Sequence, residues 1–574
     1  MKKILYFFNK HQKKSLLILF GFMFISTILE IAGLGLIFTI VGALSTANTK
    51  GSLVIDKLSI FFDIDGAEIF SYLLLIFLLF YIFKIVFLLF YNWFEANFLY
   101  SYRENLSSKL FKEYLNQDFN FFYNRNSSEI IRNLVTEVDA FIIYLVCVLK
   151  LILETIILVG LFCFLAYINL YFAFLISIIL LFFFSLYFFL FKDKLTAWGL
   201  RKQSHLQKLI QFIQEGFDGI KIIKLLGREN FFFNKYKVHN FNLSKIITKL
   251  YFFQGVPRLL FELVGIFLIT FSLFFLYYSG KTLIEITQIL SIYVAASFRI
   301  LPSANKITNS LQQIRFYYPT TNLLYNELKS FKKEFQPSDK KFSFNSNIFV
   351  DIEKFKYPSS KNFEISNVKL DISKGQKIGI IGQTASGKST VVEIIAGILE
   401  PTRGSIVVDG KSIFSNIRGW QKLIGLVPQK IFILDESLRN NILFGLDNKK
   451  YTDDKILSVV KKFSLESLLK RLPGGLDGNL GEEGINLSGG EIQRIGLCRT
   501  LIYDPEVLFL DEATSSLDVN TESQILDELK VFKEKTIISI AHRINTLKNC
   551  DKIYRFNNGK VVDEGNFDKF KMQN

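Results

Sequence analysis

An all-α polytopic membrane part with six spans, fused to an α/β domain built around a phosphate-binding loop, is the fold class this sequence predicts. Three observations carry it. Half of the 574 residues are hydrophobic and Phe alone numbers 62, a composition that goes with membrane segments rather than one large soluble core. Long apolar runs recur as far as Ser330 and then stop. Beyond them, Gly382–Ser389 reads Gly-Gln-Thr-Ala-Ser-Gly-Lys-Ser, matching G-x-x-x-x-G-K-[ST] at every fixed position.

Six spans are expected, at about Ser15–Leu44, Ile69–Phe94, Phe141–Tyr167, Tyr171–Phe191, Leu259–Tyr278 and Glu285–Gln313. Each is long enough to cross roughly 30 Å of hydrocarbon at about 1.5 Å per residue. The first carries Glu30, the second carries Lys84, and the sixth is the least apolar. Glu95–Ala140 and Lys192–Val256 are long and rich in Lys and Arg, as is the N-terminus with Lys2, Lys3, Lys10, Lys13 and Lys14. Cationic loops stay on the cytoplasmic side, which sets the orientation. Both basic segments are too polar for lipid and too regular for plain loops, so the helices are expected to continue below the membrane. The first apolar run is longer than a signal-peptide core and has no clear cleavage site, so it reads as a retained helix.

In the first external loop, Val54, Leu58, Phe61 and Phe62 recur at helical spacing opposite Asp56, Lys57 and Ser59. A short amphipathic helix on the outer membrane face fits this pattern, and a loop packed on its neighbours fits it equally. The net charge of +16 sits beside apolar runs, which indicates membrane flanks and argues against a nucleic-acid partner. Cys147, Cys163, Cys498 and Cys550 have no metal-site spacing and are expected as free thiols.

Charges inside apolar helices need a partner or water. Lys84, Arg258, Arg299 and Lys306 are the four to account for. Arg258 has Glu262 one turn on, and Lys84 has Glu30 or Glu154 on other spans. On the sixth span Arg299, Ser303, Lys306, Ser310 and Gln313 share one face, with Ile300, Leu301, Ala304, Ile307 and Leu311 on the other. No carboxylate lies between Glu285 and Glu327, so the helix cannot neutralise itself. Pro302 removes a backbone donor there. The expectation is a cationic face toward a wet cavity, with an anionic group such as pyrophosphate as its natural ligand. The alternative is pairing with acids on other helices.

The chain is expected to divide into a membrane domain at 1–330, a linker at 331–344 and an α/β domain at 345–574. The apolar run Lys377–Ile381 predicts a buried strand, followed by the phosphate loop and a helix over Thr390–Ala396. Gly382 and Gly387 let the backbone curl so that the N–H groups of Gln383, Thr384, Ala385 and Ser386 face phosphate oxygens. Lys388 reaches the β- and γ-phosphates, Ser389 can ligate Mg²⁺, and Thr390 stands on the first helical turn. Val507–Leu510 predicts a strand ending at Asp511, suited to the Mg²⁺ shell, and Glu512, suited to polarising a water. His542 follows the strand Thr536–Ile540 and is placed to meet a γ-phosphate. Ser488, Gly489 and Gly490 precede an amphipathic helix as a second small-residue turn.

Together these motifs resemble the ATP-binding cassette family in kind and in order. Tyr357, in Phe-Lys-Tyr-Pro, resembles the aromatic residue that stacks on adenine. Gln429, in Leu-Val-Pro-Gln, resembles the glutamine that ligates Mg²⁺ and faces the membrane domain. Leu487–Glu491 resembles the signature Leu-Ser-Gly-Gly-Gln, with Glu491 in place of the glutamine. Ser516–Asp518 resembles the D-loop, Ala541–Arg543 the loop that carries the switch histidine, and Gly481–Gly484 the X-loop of exporters. Six spans ahead of one cassette resemble an exporter half-transporter of the type IV fold. The resemblance implies ATP and Mg²⁺ as ligands and a homodimer, in which each signature completes the partner's phosphate site. It also implies short coupling helices within Phe119–Asp139 and Gly219–Phe233.

Within the family, Phe80–Lys84, Gly255–Arg258 and Phe298–Ile307 are similar to segments of the PglK-type flippases of bacterial protein glycosylation. That similarity implies a bacterial inner-membrane protein whose cationic cavity takes the head of a lipid-linked oligosaccharide while the polyprenyl tail stays in lipid. Lys84 and Lys306 stand where arginine is found there, which keeps the charge but loses bidentate phosphate geometry. Two other classes remain open: an exporter of another lipid, a drug or a peptide, and a membrane regulator that binds ATP without turnover.

Overall fold

The computed structural model describes residues 7–46, 66–168, 170–278, 283–331, 342–357, 363–513, 519–530, 534–541 and 543–572. The external segment 53–62, most of the expected linker, the D-loop Ser516–Asp518 and His542 lie outside the described residues. Two compact units divide the chain, one comprising Met1–Gln117 and Arg125–Lys333, the other Asp118–Asn124 and Glu334–Asn574.

All six expected spans fall within long helices of the first unit. They are α1 (Lys10–Thr46), α2 (Gly66–Leu115), α5 (Val138–Ile168), α6 (Leu170–Asp218), α8 (Glu229–Tyr278) and α9 (Leu283–Ser330). Between them lie the short α3 (Phe119–Tyr123), which belongs to the second unit, α4 (Ser127–Arg132) and α7 (Ile220–Leu226). Among the described residues, four stretches are long and apolar enough to cross a membrane: Lys10–Ile37, Ser71–Leu115, Ser127–Tyr167 and Glu229–Phe271. Helices of 48 to 50 residues, such as α2, α6, α8 and α9, reach roughly 75 Å and must extend well past the hydrocarbon. This is the continuation expected of the basic segments. Pro257 in α8 and Pro302 and Pro319 in α9 are carried inside the helices.

Polar contacts hold the extensions together. A π-helical turn at Asn133–Glu137 widens the backbone, and both of its end residues are buried. Glu137 accepts hydrogen bonds from Gln203 of α6 at 2.8 Å and Thr320 of α9 at 2.7 Å. Arg125 pairs with Glu327 at 2.7 Å. Gly199 lets α6 meet α9 closely, since a Cβ there would lie 2.0 Å from the Phe316 carbonyl oxygen.

The second unit has two sheets. An antiparallel one runs in the order β2 (Ile365–Ser373), β1 (Asn347–Phe355), β4 (Arg403–Val408), β5 (Lys411–Ser412). The other runs β10 (Lys560–Gly565), β9 (Lys552–Asn557), β3 (Lys377–Gly382), β8 (Thr536–Ile540), β7 (Val507–Asp511), β6 (Ile424–Val427). Its β9-β3-β8-β7-β6 section is parallel, and β3 and β7 are buried along most of their length, as parallel strands covered on both faces require. Trp420 anchors the core between the sheets, its Nε1 donating to the Ile395 carbonyl at 2.9 Å. The parallel order brings the carboxyl ends of β3, β7 and β8 side by side.

Candidate nucleotide site and intramembrane charge cluster

The phosphate loop leaves β3 at Gly382 and enters α10 (Lys388–Ile395) with no intervening residue beyond Gly387. Gly387 has φ +100°, and a Cβ on Gly382 would lie 2.3 Å from the Phe556 carbonyl oxygen, so both positions exclude side chains. Lys388 Nζ donates to the carbonyls of Gly382 and Gln383 at 2.9 and 2.8 Å and so closes the loop on itself. Burial pushes the Lys388 ammonium below its ordinary pKa, against the pull of Glu512 and Asp511. The Ser386 hydroxyl is buried without a hydrogen-bond partner.

Next to this loop, Ser389 Oγ donates to Asp511 Oδ1 at 3.3 Å. Gln429 Nε2 donates to Glu512 Oε2 at 2.7 Å. Residues from three separate segments therefore converge at the strand ends. Ser389 and Asp511 offer hard oxygen ligands, a donor set that fits Mg²⁺. The curled loop with its lysine and orphan hydroxyl fits a polyphosphate. Glu512 adopts φ +52°, the left-handed region, and its N–H donates to Ile540 O at 3.2 Å.

Tyr357 lies on the same side. Its hydroxyl is 3.1 Å from Thr390 Oγ1, and its ring stacks on Tyr123 of α3 with centroids 4.6 Å apart. Burial raises the phenol to about 12. Sequence reading missed Tyr123, because nothing in a five-residue aromatic helix marks its partner.

Ser488 caps α11 (Gly489–Leu501) in a reciprocal box with Glu491: Ser488 Oγ accepts from the Glu491 N–H, and Glu491 accepts from the Ser488 N–H. Gly489 and Gly490 form the first turn.

A second cluster lies in the membrane unit, and it corrects the expectation of an unneutralised cationic face. Lys84 donates to Glu30 at 2.9 Å. Arg299 Nη2 lies 3.2 Å from Glu30 and 3.8 Å from Glu154. Lys306 donates to Glu154 at 2.7 Å and Ser303 to the same carboxylate at 2.6 Å. The sixth span has no acid between Glu285 and Glu327, and α1 and α5 supply the partners. Glu30 is the sole acid in α1, which is the signal that marks it as a partner. Among the described residues, three cations face two carboxylates. Lys306 remains half exposed, and Arg299 Nε is buried without a hydrogen-bond partner. Arg258 stands exposed and joins neither this cluster nor an ion pair with Glu262 among the described residues. Beside the cluster, α5, α6 and α9 line an apolar cavity of about 710 Å³, with Thr155, Leu158, Phe162, Ile300, Ala304 and Ile307 in its wall.

A unit of long membrane helices joined to a phosphate-loop α/β unit defines the type IV exporter fold. The family models agree: one for the ABC transporter transmembrane region matches residues 16–300, and one for the ABC transporter domain, an ATP- and Mg²⁺-using domain, matches 365–515. The chain belongs to the ABC transporter family as a multi-pass half-transporter of the exporter type. A solved bacterial Atm1-family ABC exporter with ATP bound superposes with a TM-score of 0.81 at 18% identity, covering 99% of this chain and 97% of that one. The chain is 36% identical over 220 residues (38% of this chain) to ABC transporter B family member 17 of Arabidopsis thaliana. It is 35% identical over 214 residues (37% of this chain) to the leukotoxin export ATP-binding protein LtxB of Aggregatibacter actinomycetemcomitans. It is 36% identical over 215 residues (37% of this chain) to the mitochondrial iron-sulfur clusters transporter ATM1 of Kluyveromyces lactis. The matches take in 18%, 30% and 29% of those relatives' lengths, under a third in each case.

Proposed function

We propose that the chain is an ATP-driven flippase of the exporter type, working as a homodimer in a bacterial inner membrane on a lipid-linked, polyprenyl-pyrophosphate oligosaccharide. The observation that carries the substrate class is the charge balance of the intramembrane cluster. Lys84, Arg299 and Lys306 exceed Glu30 and Glu154 by one charge, and Arg299 Nε lacks a partner. A surplus cation at membrane depth favours an anionic ligand. The adjoining apolar cavity suits the amphipathic character of such a lipid.

The nucleotide chemistry follows from the residues at the strand ends. The loop Gly382–Ser389 cradles the phosphates, and Lys388 moves from its carbonyl contacts to the β- and γ-phosphates. Ser389, Asp511 and Gln429 hold Mg²⁺, which, when bound, offsets the charge of the phosphates. Glu512 orients and polarises the attacking water, and His542 contacts the γ-phosphate. Tyr357 stacks on adenine. Ser488, Gly489 and Gly490 of one copy complete the partner's site, and Asp518 of the D-loop motif is assigned to ATP binding. ATP favours the closed pair because only closure assembles both halves of the site.

ATPase activity of the protein in lipid vesicles, titrated with polyprenyl-pyrophosphate oligosaccharide and with the uncharged polyprenol, tests the substrate class. Stimulation by the first alone is expected, and its loss in Arg299→Ala/Lys306→Ala. Brisk hydrolysis indifferent to both lipids would point to an exporter of something else.

A further inference from the structure

The signature turn departs from its family pattern at one position, and the structure gives that position a consequence. Glu491 is buried, and its carboxylate collects four hydrogen bonds. The Ser488 N–H reaches Oε2 at 2.8 Å and the Ser488 hydroxyl reaches the same oxygen at 2.9 Å. Arg471 Nη2 reaches the two carboxylate oxygens at 3.0 and 3.1 Å. Burial works against the charged carboxylate, but the Ser488 and Arg471 bonds outweigh it and hold its pKa below the ordinary range. At neutral pH the group is an anion.

A hydroxyl has one hydrogen to give, and Ser488 gives it to Glu491. Phosphate oxygens are acceptors only, so Ser488 can donate to a phosphate only after releasing the carboxylate. The charge acts in the same direction. An α-helix carries roughly half a positive charge at its N-terminus, and Glu491 sets a full negative charge in the first turn of α11. Arg471 offsets it, yet its own side chain is 55% exposed and so partly screened.

We propose that Glu491 is a positioning residue that sets the ATP concentration at which the composite site closes, by holding the Ser488 hydroxyl in reserve and opposing phosphate at the head of α11. This rests on the reading above that Ser488 meets the partner copy's phosphate. Arg471 is the counterweight. A glutamine at 491 would keep the capping box, since Gln serves it as well as Glu, while removing the charge and loosening the claim on the Ser488 hydrogen.

The test is steady-state ATP hydrolysis by the full-length protein in lipid vesicles, for wild type, Glu491→Gln, Arg471→Met and Ser488→Ala, with Glu491→Gln also placed on Ser488→Ala. Glu491→Gln is expected to lower the half-saturating ATP roughly three- to tenfold with little change in kcat, the scale of one exchanged hydrogen bond. Arg471→Met should move it the opposite way. On the Ser488→Ala background the gain from Glu491→Gln should shrink, because the serine hydroxyl transmits it. An unchanged or higher half-saturating ATP in Glu491→Gln, with wild type hydrolysing normally, overturns this role alone. No hydrolysis by wild type overturns the composite-site reading and the inference with it.

Discussion

Gln429 and Glu512 are joined by a hydrogen bond of 2.7 Å, from the amide Nε2 to Oε2. The bond ties the segment after β6 to the end of β7, the two neighbouring strands that hold these residues. Glu512 is held in a left-handed backbone conformation that costs a non-glycine residue energy, and such strain persists where surrounding contacts fix it. A carboxylate positioned in this way is suited to act as a base. Glu512→Gln should lower the rate of phosphate release at least about a hundredfold, while retaining ATP binding. Phosphate release and nucleotide binding, measured on the same preparation, check the two halves. Hydrolysis at the parent rate would remove Glu512 from that role.

Gly382 gives a second prediction. A methyl group there would sit 2.3 Å from the Phe556 carbonyl oxygen and 2.8 Å from Ser386 Oγ. The backbone oxygen cannot withdraw without disturbing the β3–β9 pairing that places the loop. Gly382→Ala should therefore abolish measurable ATP binding with the membrane unit still folded. Binding of a fluorescent ATP analogue, set beside circular dichroism, distinguishes local from global damage.

Glu154 is buried and bonded to Ser303 and Lys306, with Arg299 beyond. Removing one member of a buried pair costs about 3–5 kcal/mol, and the partial exposure of Lys306 places this case toward the lower end. Glu154→Gln should lower the Tm in detergent. Glu154→Gln/Lys306→Gln should recover part of the loss, because the second change removes the cation left uncompensated. A double variant no more stable than the single one would mean that the pair is not the source.

Asp409 provides the pH prediction. Burial raises its pKa, but the backbone N–H groups of Asn345, Ser346 and Asn347 outweigh that effect and hold it below the ordinary value of 3.8. The folded form thus binds a proton less readily than the unfolded chain. The stability contributed by this carboxylate is present above pH 3.8 and is lost as pH falls through the depressed folded value. Asp409→Asn should be less stable than wild type at neutral pH, with the gap narrowing on acidification. Thermal melts between neutral pH and pH 3 measure it.

Much of this molecule was legible in the sequence because its signals are local. Apolar length marks each span, and the glycines and lysine of the phosphate loop sit at fixed spacing between strand and helix. Val507–Asp511 ends where its carboxylates are needed. What escaped depends on contacts between distant segments. Glu154 lies 152 residues from Lys306, and only packing of α5 against α9 discloses that the apparent cationic face is paired. Arg258, grouped with the other cations by its charge and by the resemblance of Gly255–Arg258, stands exposed and joins none of their ion pairs among the described residues. Tyr123 meets Tyr357 across 234 positions of chain, which no periodicity encodes. Glu491 was visible as a departure, but its grip on Arg471, 20 residues away, depends on how the chain folds back on itself.

Flux of the lipid head across the bilayer distinguishes a flippase from other exporters. Vesicles carrying the protein, loaded with polyprenyl-pyrophosphate oligosaccharide bearing a labelled head, would be followed for transfer of the label across the bilayer with and without ATP. ATP-dependent transfer is expected in wild type, none in Glu512→Gln, and none in Arg299→Ala/Lys306→Ala despite continuing hydrolysis. Brisk hydrolysis without transfer, or transfer that survives loss of both cations, would contradict the proposed function.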